Sequence, residues 1–267
     1  MNPFFYMPIL QLGNVQLHFE SITVPSSERD DLVLIFLHEA LGSIPQWRNF
    51  PPTLCSSVGL SGIVYERQGY GQSSPLSQVR NEKYLHDYAL CELPAFIEEI
   101  LPPEKRIILV GHSDGGTIAL LYASAFPKRV AGIITLAAHV INEPETIAGI
   151  RPAVQAYAEG KLDKLKSYHG EKTDTLFKSW SDTWQSKTFQ NWTIENEIQG
   201  IQAPSLILQG QRDQYGTQKQ LDIIGSSMKV LCFIEMIPGL GHHPHLEDTI
   251  GTAARITSFI NEHILLK

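Results

Sequence analysis

The sequence predicts an α/β protein, with a mostly parallel, doubly wound sheet flanked by helices and one all-helical insertion. Three observations predict it. Short apolar runs rich in β-branched residues recur along the 267-residue chain, and continuous apolar runs suit strands buried on both faces of a parallel sheet. Segments of helical period alternate with these runs, as βα repetition requires. One long stretch, about 140–200, breaks the alternation with helix-compatible, polar sequence.

Each element follows from its pattern. Residues 10–23 alternate apolar and polar, like an antiparallel hairpin leading into the sheet. The strand runs are then 32–37 (LVLIFL), 62–65, 106–110, 130–136, 205–208 and 230–237. Between them, Tyr84, Leu85, Tyr88, Leu93, Phe96, Ile97 and Ile100 share one helical face, and Ile118, Ala119, Leu121, Tyr122 and Ala125 share another. Within the insertion, "YAEGKLDKLKSYHG" reads as a charged helix ended by Gly170. Trp180, Trp184 and Trp192 read first as packing for a small subdomain and second as substrate contacts. An insertion between two strands lies over one end of the sheet. The expected division is therefore a core of 1–139 and 201–267 with a helical cap of 140–200.

Composition bounds the function. With 43% hydrophobic residues the chain can bury a sizeable core. A net charge of −7 without a Lys/Arg cluster argues against nucleic acid, whose phosphates need grouped positive charge. Cys55, Cys91 and Cys232 are an odd number at long spacings, which points to reduced thiols rather than a disulfide framework or zinc site. The N-terminal "MNPFFYMPIL" lacks the basic start of a signal peptide, and "LVLIFL" is too short to span a bilayer. The expectation is a soluble cytoplasmic protein, monomer or homodimer, that takes a small molecule and associates with neither membrane nor nucleic acid.

The chemistry centres on "RIILVGHSDGGTIALLYA", where Gly111-His112-Ser113-Asp114-Gly115 reads G-x-S-x-G between a strand and a helix. A turn that sharp strains the serine backbone and leaves no room for side chains two residues to either side. Gly111, Gly115 and Gly116 remove them. Ser113 is then presented at the carboxyl end of the sheet, where open α/β sheets bind ligands, and at a helix start that favours developing negative charge. A serine hydroxyl needs a base. In "PSLILQGQRDQYGT", Asp213 falls just past a strand, and in "VLCFIEMIPGLGHHPH", His242 does the same. The order Ser, Asp, His suits this elbow. His243 and His245 are competitors for the base, read as structural, and Glu235 is a poorer acid because it lies within its strand. A metal site in "HHPH" lacks a carboxylate or cysteine at ligand spacing. Acyl transfer also needs two N–H donors for an oxyanion. Asp114 supplies one, and Ala40, in the loop after "LVLIFL", is the candidate for the other. His38-Glu39 does not begin an H-E-x-x-H zinc helix, since position 42 is glycine.

Taken together, "LHEALGS", "YERQGYGQS", "VGHSDGG" with "GQRD", and "PGLGHHPH" resemble the α/β-hydrolase fold family over nearly the whole chain. The resemblance implies Ser113, Asp213 and His242 as a catalytic triad, with Ala40 and Asp114 as oxyanion donors. Two departures stand out. His38-Glu39 replaces the family's usual His-Gly, and Glu66 and Gln68 replace the Asp and Arg of D-x-R-G-x-G-x-S. The S-D-G-G elbow is similar to that of biphenyl-hydrolase-like amino-acid ester hydrolases, in a branch that also holds carbon–carbon bond hydrolases. That likeness implies a substrate amino group at the Asp114 side chain. The alternative for this carboxylate is a hydrogen bond to loop or cap residues. The expected function is a serine hydrolase of small carboxylic esters through an acyl-enzyme, needing no metal or organic cofactor. Trp180 and Trp184 are the candidate lining residues. A carbon–carbon hydrolase or lyase with the same triad, and a non-catalytic binding protein on the same fold, are the rival readings.

Overall fold

A computed structural model describes residues 8–25 and 29–266. The expectation for "MNPFFYMPIL" falls mostly on residues 1–7, outside the described residues. The strands are β1 (Ile9–Leu12), β2 (Val15–Ile22), β3 (Leu32–Leu37), β4 (Gly62–Tyr65), β5 (Arg106–His112), β6 (Val130–Leu136), β7 (Ser205–Gly210) and β8 (Cys232–Ile237). They form one sheet in the order β1-β2-β4-β3-β5-β6-β7-β8. The β1–β2 and β2–β4 pairings are antiparallel and the others parallel. The hairpin and the six strand runs expected from the sequence are all present.

Helices cover both faces. They are α1 (Phe50–Val58), α2 (Tyr84–Asp87), α3 (Leu93–Ile100), α4 (Asp114–Ala125), α5 (Pro144–Ala158), α6 (Leu165–His169), α7 (Thr173–Gln185), α8 (Gln218–Ser227), α9 (Pro244–Glu247) and α10 (Thr249–Ile260). Side chains alternate across a strand, so β3 feeds two cores at once. Val33, Ile35 and Leu37 join the layer of α2–α4 and α8, whereas Leu32, Leu34 and Phe36 join the layer of α1 and α10.

Two helices differ from the sequence reading. The single helix expected over 84–100 is α2 and α3 joined by a wide turn at Tyr88–Glu92. Pro94 lacks an N–H to bond back one turn, and a widened turn absorbs the lost bond. The charged helix expected over 157–170 is broken: α5 ends at Ala158 and Gly160 turns left-handed at φ 72°. Only α6 remains of it, ended by Gly170 as expected.

The order of the strands positions the site. From β3 the chain moves outward to β4, and from β5 it moves the opposite way to β6. The loops after β3 and β5 therefore diverge and leave a crevice at the carboxyl ends of the strands. Helices α5–α7 lie in sequence between β6 and β7 and pack over this edge. His169 at the end of α6 bonds the Leu41 carbonyl through Nε2 (2.9 Å) and accepts the Gly71 N–H at Nδ1 (3.0 Å).

Candidate active site

Ser113 alone makes the corner between β5 and α4, at φ 54° and ψ −118°. That region costs a non-glycine residue about 1–3 kcal/mol, and the surroundings enforce it. A Cβ at Gly111 would meet the Gly115 carbonyl, and one at Gly115 would meet the Leu37 carbonyl of β3. The Ser113 N–H donates to the Leu136 carbonyl (2.8 Å), and its own carbonyl accepts from Gly116 and Thr117.

Asp213 and His242 follow β7 and β8, on the same edge of the sheet. His242 Nδ1 lies 2.9 Å from both carboxylate oxygens of Asp213. The carboxylate also accepts the Tyr215 N–H (2.8 Å) and a Gln209 amide hydrogen (3.3 Å). Burial would raise the Asp213 carboxyl, but the neighbouring His242 and these hydrogen bonds hold it below the usual range. An ionised Asp213 makes Nδ1 the donor. Nε2 of His242 is then the free lone pair, the tautomer a general base requires.

The loop after β3 is held from behind. Arg67, fully buried, donates to the carbonyls of His38 (2.6 Å) and Glu39 (2.9 Å). Across a trans peptide the N–H points opposite to the carbonyl. Anchoring the Glu39 carbonyl inward thus turns the Ala40 N–H outward, where it has no hydrogen-bond partner among the described residues. The Asp114 N–H begins α4, where intrahelical partners are lacking. Glu66 stands where the resembled pattern has aspartate. It accepts from His18 Nδ1 (2.9 Å), the Ile44 N–H (3.0 Å) and the Gln72 N–H (2.6 Å), tying this loop to the next one.

Ser113, Asp114, Ala40 and His242 line one cavity of about 290 Å³, walled by Trp180 and Trp184 of α7. No Lys or Arg lines it, whereas Glu39 and Asp114 do. A larger hollow of about 710 Å³ between Leu76 and α7 holds none of these residues. Both tryptophans are buried as well as lining the cavity. Trp184 Nε1 donates to the Tyr84 hydroxyl (2.7 Å), which in turn donates to Asp114 Oδ2 (2.7 Å). Burial raises the Asp114 carboxyl, opposed by the charge of Arg67 and the Tyr84 bond.

Several cavity residues escaped the sequence reading. His139 follows β6 and donates from Nε2 to the Tyr215 carbonyl (3.0 Å), and Tyr84 opens α2 and bears on the cavity through its bond to Asp114; neither sits in a recognisable motif. His243, read as structural, lines the cavity, and burial pushes it down to about 3. His245 is indeed packed, against Trp47, Phe50 and His112. Glu39 and His112 carried one signal each, an unusual place after His38 and a place inside the elbow.

An α/β-hydrolase fold family model matches residues 33–186, more than half of the chain. The chain belongs to the α/β-hydrolase fold family. This chain is 26% identical over 247 residues to the human serine hydrolase BPHL, covering 88% of its own length and 79% of that protein. It is 25% identical over 274 residues to a biotin biosynthesis bifunctional protein, BioHC, of Teredinibacter turnerae, covering 86% of this chain. The chain spans 45% of that longer protein. A crystal structure of proline iminopeptidase from Mycobacterium smegmatis superposes with a TM-score of 0.73 over 97% of this chain and 99% of the other, at 16% identity, a likeness of fold alone. Among the described residues, no helix is long and apolar enough to cross a membrane.

Proposed function

We propose that this hydrolase cleaves small carboxylic esters through an acyl-enzyme formed on Ser113. The observation that carries the reading is His242, held through Nδ1 on both oxygens of an ionised Asp213 in the same cavity as the strained Ser113. In this reading, Nε2 of His242 takes the Ser113 proton as Oγ attacks the carbonyl, and Asp213 stabilises the imidazolium. The N–H groups of Ala40 and Asp114 receive the oxyanion, each worth roughly 3 kcal/mol. The proton passes to the leaving alkoxide, and water activated by His242 then releases the acid.

The cavity supports a small acyl group. Helices within 140–200 act as the cap, with Trp180 and Trp184 as its apolar wall. A cavity with two carboxylates and no cationic lining favours a neutral or ammonium-bearing acyl group over an anionic one. Among the described residues, Tyr84 supplies the only hydrogen bond to the Asp114 carboxylate, so the other oxygen is available to a substrate ammonium group. The relationship to BPHL, an aligned serine hydrolase, supports the same mechanism.

A fluorophosphonate probe tests the nucleophile. It is expected to label the wild-type protein once per chain and to leave Ser113→Ala unlabelled, with p-nitrophenyl acetate turned over by the former only. Labelling of the alanine variant at the wild-type rate defeats the assignment. Labelling without ester turnover transfers support to the carbon–carbon reading.

A further inference from the structure

Three side chains outside the proposed triad and oxyanion donors converge beside the cavity. Glu39 comes from the loop after β3, His112 is the last residue of β5, and His243 follows β8. One ligand atom from each, a carboxylate oxygen and two ring nitrogens, lies within 4.8 Å of the others. "HHPH" has no carboxylate at ligand spacing in sequence, but the fold brings Glu39 to it along the same carboxyl edge of the sheet.

His112 is the informative member. It is fully buried, and its Nε2 lies 2.8 Å from the His242 carbonyl. A carbonyl only accepts, so Nε2 carries the proton, and a neutral ring then has a bare lone pair on Nδ1. That atom has no hydrogen-bond partner. It faces Glu39 Oε2 at 3.5 Å. Two acceptors so placed repel unless an electrophile lies between them, either an added proton or a metal ion.

The spacing suits the metal. Four-coordinate zinc with ligands at about 2.0–2.2 Å sets neighbouring ligand atoms roughly 3.3–3.5 Å apart. The Glu39–His112 pair already has that separation, and the His243 ring nitrogen, within 4.8 Å of both, closes the set by moving up to about 1.5 Å. Two nitrogens and one carboxylate oxygen favour zinc-class ions over magnesium or calcium, which prefer all-oxygen sets. A ligating histidine whose other nitrogen bonds a backbone carbonyl is a usual arrangement in such sites. Three protein ligands leave a fourth position, and since Glu39 and His243 line the cavity, it opens there.

Each ligand is also the immediate neighbour of a residue in the proposed machinery: Glu39 of Ala40, His112 of Ser113, His243 of His242. We infer that Glu39, His112 and His243 form a binding site for a zinc-class divalent cation whose occupation blocks the hydrolytic cavity. The ion and its water fill the end of the cavity next to Ser113 and hold the three loops together. Binding stands independently of the hydrolase reading, and blockade rests on it.

Chelator-treated, dialysed protein is titrated with ZnCl2 by calorimetry and with CoCl2 by visible absorption. The expected result is one ion per chain at micromolar or tighter affinity, with the strong d–d bands of four-coordinate cobalt. Glu39→Gln and His243→Ala each weaken zinc at least tenfold, while His263→Ala, on the distant C-terminal segment, leaves it unchanged. An isotherm only in the millimolar range, or one that ignores both ligand variants, overturns the site. Saturating zinc is expected to slow both fluorophosphonate labelling and p-nitrophenyl acetate turnover at least tenfold. Tight binding with unchanged rates overturns the blockade. Metal-free protein that never labels at Ser113 defeats the hydrolase reading while the zinc isotherm still decides the site.

Discussion

Two roles are proposed for Asp114, and they separate cleanly. Its N–H lies at the start of α4, set by the elbow, and any residue there would supply it. Its carboxylate faces the cavity under a chain of hydrogen bonds from Trp184 and Tyr84. A buried carboxylate with a single donor and a raised proton affinity gains most from an arriving ammonium group. Asp114→Asn keeps the N–H and the shape and removes the charge. We expect it to lower kcat/KM for α-amino esters about tenfold or more, while neutral esters of equal size change less than about twofold, a difference of at least about 1 kcal/mol. A panel of paired charged and neutral esters measures this, and an equal loss on both removes the amino-group reading. At this scale the sequence was legible wherever a residue sat in a motif. Ser113, Asp213 and His242 follow strand ends, and the geometry brings them to one edge. Tyr84 and His139 were not legible, because their place depends on which strands neighbour β5.

At the scale of elements, α6 is the joint between the helices over the cavity and the loops beneath it. Local sequence marks its end through Gly170, but its two anchors, Leu41 and Gly71, lie about a hundred residues away in the chain. Lys172 adds bonds to the carbonyls of Gly71 (2.6 Å) and Ser73 (2.9 Å). His169→Ala leaves a buried N–H and a half-buried carbonyl without partners, with about 1–3 kcal/mol at stake where a group is left orphaned away from water. The expected outcome is a rise of about three- to tenfold in KM for small esters, with kcat less affected, since the wall loosens while Ser113 and His242 stay on the sheet. Steady-state kinetics decide it; an unchanged KM with a fallen kcat would show that α6 serves the chemistry rather than the cavity. The expected helix over 157–170 failed for a local reason. Its periodicity was real in composition, but Gly160 prefers the left-handed turn that ends α5.

Across the whole molecule, stability rests on a sheet buried on both sides, and a few buried polar groups make it depend on pH. Glu92, in the wide turn between α2 and α3, accepts the Gln68 N–H (2.9 Å) and holds the 66–73 loop against the helices. Burial pushes its carboxyl up to about 7. A carboxyl raised in the fold binds its proton more tightly than in the unfolded chain. Its contribution is therefore favourable below about 4.5 and is lost as pH rises through 7, roughly 3 kcal/mol in all. Glu92→Gln keeps the acceptor and removes the titration. Urea unfolding from pH 5 to pH 8 is expected to show wild type losing stability relative to the variant as pH rises; parallel curves would contradict it.

The sequence by itself determined the strands, the elbow and the order of the candidate acid and base. These are local matters: β-branched runs, glycines that only a tight corner needs, and polar residues just beyond each strand. Tertiary structure alone decided what surrounds them. The divergence of the chain at β3 and β5 opens the crevice, Arg67 turns the Ala40 N–H outward, and Glu39 comes to face His112 and His243. Such pairings join residues dozens to a hundred or more positions apart. They follow from strand order and long-range burial, which no spacing along the chain encodes.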